Sequence, residues 1–238
     1  MKKIEDLKVK IFSDGADKST MLEMHKKSFI KGLTTNPTLM SNAGIRDYRS
    51  FCQDILLSIR DKPISFEVFS DNFNEMESQA LEIASWGDNV YVKLPITNTK
   101  SEPCYSLIKK LAKENVKLNI TALMTLNQVS HVVESLNPSV PSFVSIFAGR
   151  IADTGRDPLP IMISALEIMR VNPTSELIWA SPRELFNIIQ ADEIGCHIIT
   201  ATSDILKKLP LIGYDLEKYS LDTVKMFFND SVVAGFRL

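Results

Sequence analysis

The sequence predicts an α/β protein folded as a single (β/α)8 barrel over residues 1–238. Three observations carry this. Eight short apolar runs alternate with amphipathic stretches; the 238-residue length matches the roughly 250 residues usual for such a barrel; and no Gly/Ser linker, low-complexity run or heptad array divides the chain. A doubly wound open sheet is the alternative. It needs fewer strands, and its dinucleotide-binding form needs a GxGxxG turn that is absent.

The elements follow in order. "LKVKIFSD" (7–14) and "IKGLTTN" (30–36) read as the first two strands, and "DYRSFCQDILLSIRD" (47–61) has apolar residues three or four apart, as a core-facing helix requires. "ISFEVFS" (64–70) is followed by the helical "FNEMESQALEIASWG" (73–87), and "NVYVKLP" (89–95) by "EPCYSLIKKLAKEN" (102–115). Then come "VKLNITAL" (116–123), "SFVSIFAG" (142–149), the helical "PLPIMISALEIMRVN" (158–172), "ELIWASP" (176–182) and "CHIITATS" (196–203). "SPRELFNIIQADEIG" (181–195) opens on Ser-Pro, a helix-start pair, and closes on Gly195, a helix stop.

Composition narrows the function classes. Hydrophobic residues make up 45% and charged ones 24%, enough for a full core. A net charge of −2 supplies no basic field for nucleic acid or an anionic membrane. The apolar runs are too short to span a bilayer, and "MKKIEDLKVK" has no apolar segment of a secretory signal. Cys52, Cys104 and Cys196 are far apart and form no CxxC pair. A cytoplasmic protein is expected.

Active sites of such barrels lie at the C-terminal ends of the strands, and polar residues collect there. Read with period two, Asp14 shares a face with Phe12; Thr34 shares one with Asn36, and Asn119 with Thr121. Glu67, Lys93 and Ser181 lie opposite apolar neighbours, Ser181 opposite Ile178 and Ala180. Singly, each has a plain explanation. Lys93 could snorkel, Asp14-Gly15 could turn, Asn36-Pro37 and Ser181-Pro182 could start helices, and Thr34 and Thr121 suit strands. Glu67 is harder to dismiss, because an uncompensated buried carboxylate is costly. Together they gather a lysine, carboxylates, amides and hydroxyls at one barrel mouth.

Such a set supports Schiff-base chemistry. A lysine must be neutral to attack a carbonyl, and its free pKa of about 10.4 works against that. The iminium then draws electrons from a neighbouring carbon–carbon bond, while carboxylates move protons and amides hold hydroxyls. His25, His131 and His197 are scattered, so no metal site is expected.

These residues stand in segments that resemble the transaldolase family. "GLTTNP" (32–37) is similar to its second-strand signature, "VYVKLPIT" (90–97) to the segment with the Schiff-base lysine, and "LNITALMT" (118–125) to its fifth strand. "SIFAGRIAD" (145–153) resembles the aromatic–x–Gly–Arg motif, and "WASPREL" (179–185) the serine–x–basic motif. The resemblance implies that Lys93 forms the imine with a ketose, Asp14 is the acid/base, and Glu67 and Thr121 handle the water. Thr34, Asn36, Asn119, Phe147 and Ser181 would line the substrate site, and Arg150 and Arg183 would grip a phosphate. Sugar phosphates are the implied partners, and neither a metal nor another cofactor is implied.

Glu67 and Phe147 resemble true transaldolases, which pass a dihydroxyacetone unit to an aldehyde; the fructose-6-phosphate aldolase branch usually has glutamine and tyrosine there. Gly15, Met124 and Pro182 depart from the family pattern. A lyase releasing dihydroxyacetone, a relative acting on another anionic sugar, and a non-catalytic sugar-phosphate-binding barrel remain alternatives. The tail 216–238 places Leu221, Val224, Phe227 and Phe228 at helical spacing, with a helix expected over about 216–232. Such a stripe packs on its own barrel, or, as the resemblance implies, covers the mouth or meets a second copy in a homo-oligomer.

Overall fold

The structure, a computed structural model, describes residues 3–237. Eight parallel strands close into a barrel in chain order: β1 (Lys10–Asp14), β2 (Ile30–Thr34), β3 (Ile64–Glu67), β4 (Val90–Pro95), β5 (Leu118–Leu123), β6 (Ser142–Ile146), β7 (Ser175–Trp179) and β8 (Ile198–Thr202). The helices are α1 (Lys18–Lys26), α2 (Pro37–Asn42), α3 (Tyr48–Ser58), α4 (Phe73–Ala84), α5 (Tyr105–Lys113), α6 (Leu126–Ser135), α7 (Ala148–Ala152), α8 (Leu159–Met169), α9 (Phe186–Glu193), α10 (Ser203–Leu206) and α11 (Leu216–Ala234). Among the described residues no helix is long and apolar enough to cross a membrane.

Local chemistry sets many boundaries. Asp17, Asn36, Asp47, Asn72, Thr125 and Asp215 are N-caps whose side chains accept from first-turn amides. Thr125 and Gln128 form a reciprocal capping box, and Pro37 occupies the first position of α2. Strand β1 begins later than the apolar run suggests. The buried Asp192 of α9 takes the amides of Lys8 and Val9 at 2.6 and 3.0 Å, tying that segment to α9 instead of to the sheet. The end of the 142–149 run also leaves the sheet, because residues 148–152 coil into α7.

Two apolar layers hold the fold. The larger lies between the strands and the helices and includes Trp179, Phe66, Ile55, Leu94 and Ile108, all fully buried. Each such side chain contributes about 1.5–3 kcal/mol. The smaller lies inside the barrel: Phe12, Phe143, Ile178, Ala180 and Ile198, with Tyr91 and Phe147 against them, Ala180 and Phe147 also bordering the mouth. Tyr91 stacks on Phe143 at 4.0 Å, and Phe12 meets Phe143 edge-on at 5.7 Å. These rings make an aromatic floor beneath the polar mouth.

The floor explains one glycine. A Cβ on Gly32 would lie 2.4 Å from the Phe12 ring, which is itself confined by Phe143. Gly32→Ala is expected to destabilise the protein by about 1–3 kcal/mol in denaturant unfolding, and adding Phe12→Leu to restore part of it; an unchanged Gly32→Ala midpoint would contradict this packing account.

Candidate active site

The strand ends open into a cavity of about 700 Å³. It is lined by Asp14, Thr34, Asn36, Glu67, Lys93, Asn119, Thr121, Phe147, Arg150, Ser181 and Arg183, so all eleven candidates meet there. Strand register explains part of this: Glu67 is paired with Lys93, and Lys93 with Asn119, so three adjacent strands present polar side chains at one level.

Lys93 is 7% exposed, and its Nζ has two acceptors: the Thr35 carbonyl at 2.8 Å and Glu67 Oε2 at 3.1 Å. Only the second can take a proton. Asp14 accepts from Thr34 Oγ1 at 2.7 Å, and Thr34 Oγ1 lies 2.5 Å from Thr200 Oγ1. With Thr34's proton directed to Asp14, Thr200 donates to Thr34, completing a hydroxyl chain. Burial raises the Asp14 pKa above the usual carboxylate value; Lys93 and the Thr34 bond pull it down, and Glu67 pushes it up.

Asn119 is held at both ends, its Nδ2 donating to Ser65 Oγ at 3.0 Å and its Oδ1 accepting from Ser145 Oγ at 2.7 Å. Thr121 Oγ1 is buried without a hydrogen-bond partner among the described residues, an arrangement suited to a bound water or ligand hydroxyl. Asn36 serves its helix first: Oδ1 caps the Leu39 amide at 2.9 Å, leaving its amide nitrogen to the cavity wall. Gly149 separates Phe147 from Arg150 in α7, and only a glycine fits there, because a Cβ would lie 1.6 Å from the Ser181 carbonyl. Arg183 is clamped by Asp153, with Nε to Oδ1 at 2.9 Å and a second contact from Nη2 to Oδ2, and its Nη1 reaches Ser181 Oγ at 3.0 Å. Arg150 has no ion-pair partner among the described residues and is exposed on the rim.

Two expectations need correction. Ser181-Pro182 does not start a helix: α9 begins at Phe186 with Leu185 as N-cap. Nor does strand alternation bring Ser181 to the mouth. Ile178 and Ala180 point into the barrel, with the floor, and β7 has ended at Trp179. Ser181 turns inward through a left-handed backbone, φ 60°. Ala122, with φ 64° beside a register shift in β5, is the other left-handed residue in the cavity wall. Of the departures, Pro182 lines the cavity, whereas Met124 lies outside its lining.

Sequence reasoning missed Thr200, Ser65, Ser145 and Asp153. Thr200 had a signal, since it alternates with the inward Ile198; Asp153 had none, because its role depends on where Arg183 lies. Among the described residues no group of three or more His, Cys, Asp or Glu is placed to hold a metal ion. Cys52, Cys104 and Cys196 are buried and free, their thiol pKa values pushed up by burial to about 12, 11 and 12.

The raised Asp14 pKa fixes a sign. The folded state holds this proton more tightly than the unfolded one, so stability from Asp14 is present below the unfolded value of 3.8 and is lost as pH rises through the folded value. Asp14→Asn is therefore expected to raise the unfolding temperature at pH 7.5 and to leave it nearly unchanged near pH 4. Equal effects at both pH values in paired thermal melts would contradict a burial-raised Asp14.

The profile of the Transaldolase/Fructose-6-phosphate aldolase family matches residues 11–235. A protein of Dehalococcoides mccartyi called a probable transaldolase is 32% identical over 218 residues, 90% of this chain and 97% of the relative. One from Clostridium acetobutylicum with the same name is 32% identical over 223 residues, 92% of this chain and 99% of that protein. A third, from Methanococcus maripaludis, is 30% identical over 218 residues, 90% and 97% of the two chains. With a closed eight-stranded barrel, a buried lysine at its mouth and a match over nearly the whole length, this chain belongs to the transaldolase/fructose-6-phosphate aldolase family.

Proposed function

We propose that the protein is a transaldolase, moving a dihydroxyacetone unit from a ketose phosphate to an aldose acceptor through an imine at Lys93. The observation that carries this is the buried Lys93 amine, 3.1 Å from Glu67 in a cavity that Asp14 also lines. Glu67 takes the Lys93 proton, and the amine adds to the ketose carbonyl. Loss of water gives the iminium, with Glu67 and Thr121 holding that water. Asp14 removes the proton from the C4 hydroxyl, the C3–C4 bond breaks, and its electron pair passes to the iminium nitrogen as an aldose leaves. The remaining enamine attacks an acceptor aldehyde, Asp14 returns the proton, and hydrolysis frees Lys93.

The other lining residues bind. Thr34 orients Asp14, while Asn36, Asn119 and Ser181 hold donor hydroxyls against the Phe147 ring. Arg150 and Arg183 grip the phosphate, with the Asp153 clamp fixing the plane of the Arg183 guanidinium. Glu67 and Phe147 favour transfer over release, as do the names of the relatives. Buried free thiols suit a cytoplasmic location.

Borohydride added with fructose 6-phosphate is expected to fix a sugar-derived adduct on Lys93, mapped by mass spectrometry and absent in Lys93→Ala. Sustained turnover without an acceptor aldehyde would replace the transferase by the lyase. Binding of sugar phosphate without any adduct or turnover would leave only a binding barrel.

We also propose that the protein is a homo-oligomer assembled through α11. No side chain of this helix is buried, and Leu221, Val224, Phe227 and Phe228 are 52–67% exposed. An apolar surface of this kind is unusual on a monomer. Sedimentation velocity is expected to give an oligomer for the full chain and a smaller species for one ending at Gly213; a full-length monomer at micromolar concentration would rule the proposal out.

A further inference from the structure

We propose that Tyr48 is a positioning residue for the Glu67 carboxylate, its hydroxyl standing in for a strand that β3 lacks at the barrel mouth. The inference rests on the reading of Lys93 as the imine-forming lysine.

The pairing of β2 with β3 is short, consisting of Leu33 with Ile64 and Thr34 with Ser65. Beyond Thr34 the chain turns away, with Asn36 capping α2. Alternate residues of a central parallel strand direct their amides to alternate neighbours. The Val68 amide donates to Lys93 O, so Phe66 and Val68 address β4, whereas Ser65 and Glu67 address β2. Thr35 N to Ser65 O, at 3.4 Å, is the last rung on that side. The Glu67 N–H and C=O therefore face a place where β2 has already left.

Tyr48 of α3 occupies that place. Its hydroxyl accepts from the Glu67 amide at 2.7 Å and donates to the Glu67 carbonyl at 2.8 Å. One hydroxyl satisfies both backbone groups, provided it keeps its proton, and burial raises its pKa far above the usual phenol value. The ring meets the exposed Phe69 edge-on at 5.3 Å and lies tilted against Trp86 at 6.4 Å. Tyr48 does not line the substrate cavity, so it acts through Glu67. It sets the backbone from which the Glu67 carboxylate meets Lys93 at 3.1 Å.

Tyr48→Phe keeps the ring and removes both bonds. It is expected to lower kcat, and the rate at which borohydride-fixable adduct forms on Lys93, by roughly tenfold at an unchanged KM. Phe69→Leu loosens the same aromatic cluster while sparing the hydroxyl, and is expected to lower stability and leave kcat unchanged. Wild-type kcat in Tyr48→Phe, or activity falling in both variants in step with stability, would overturn the proposal. A crystal structure of Tyr48→Phe separates this from a failure of the imine reading. If the wild-type protein forms no adduct, that reading fails, and the Tyr48 proposal is decided by whether Glu67 moves off Lys93 or keeps its 3.1 Å contact.

Discussion

The contact on which the site depends is that of the Lys93 amine with Glu67 and the Thr35 carbonyl. A cation withdrawn from water into a barrel needs acceptors close by, or the fold bears the full cost of its desolvation. Those acceptors come from the two preceding strands: Glu67 is the registered neighbour of Lys93, and Thr35 lies just past the end of β2. The departure of β2 from the sheet is thus tied to the lysine. The turn that ends the strand leaves a carbonyl for Lys93, and the gap it opens beside Glu67 is filled from α3.

A division of labour along the barrel axis follows. Aromatic and aliphatic side chains close the lower interior, while hydroxyls, amides and carboxylates occupy the upper level. The upper groups also hold one another. Thr200 and Thr34 serve Asp14; Ser65 and Ser145 fix the Asn119 amide; Asp153 holds Arg183. A ligand entering this mouth meets groups whose orientations are already set, so less ordering remains for the binding step.

Most of the barrel was legible because each strand carries its own apolar run and one-sided packing imposes a period of two. Lys93 and Glu67 stood out for the same reason, as ionisable residues in segments otherwise built for burial. What alternation could not convey was the path of the chain after a strand ends. Ser181 reaches the mouth through a left-handed turn, so a strand rule applied past Trp179 assigned Ile178 and Ala180 to the wrong side. The Ser-Pro pair looked like a helix start, yet α9 begins four residues after Pro182, with Leu185 as its cap. Tyr48 and Asp153 were illegible for a different reason. Each works through a partner far away in sequence, 19 and 30 residues respectively, and no local pattern marks such a partner.

The aromatic floor also has a kinetic meaning. Phe12 and Phe143 are 1% and 3% exposed, so the lower end of the barrel offers no passage to small molecules. Traffic to Lys93 must share the upper opening, which leads into a cavity of about 700 Å³. If Lys93 carries the proposed imine, the leaving aldose and the incoming acceptor would both use that upper opening. The plugged base of the barrel would then set the route of sugar traffic as much as the proposed imine sets its chemistry.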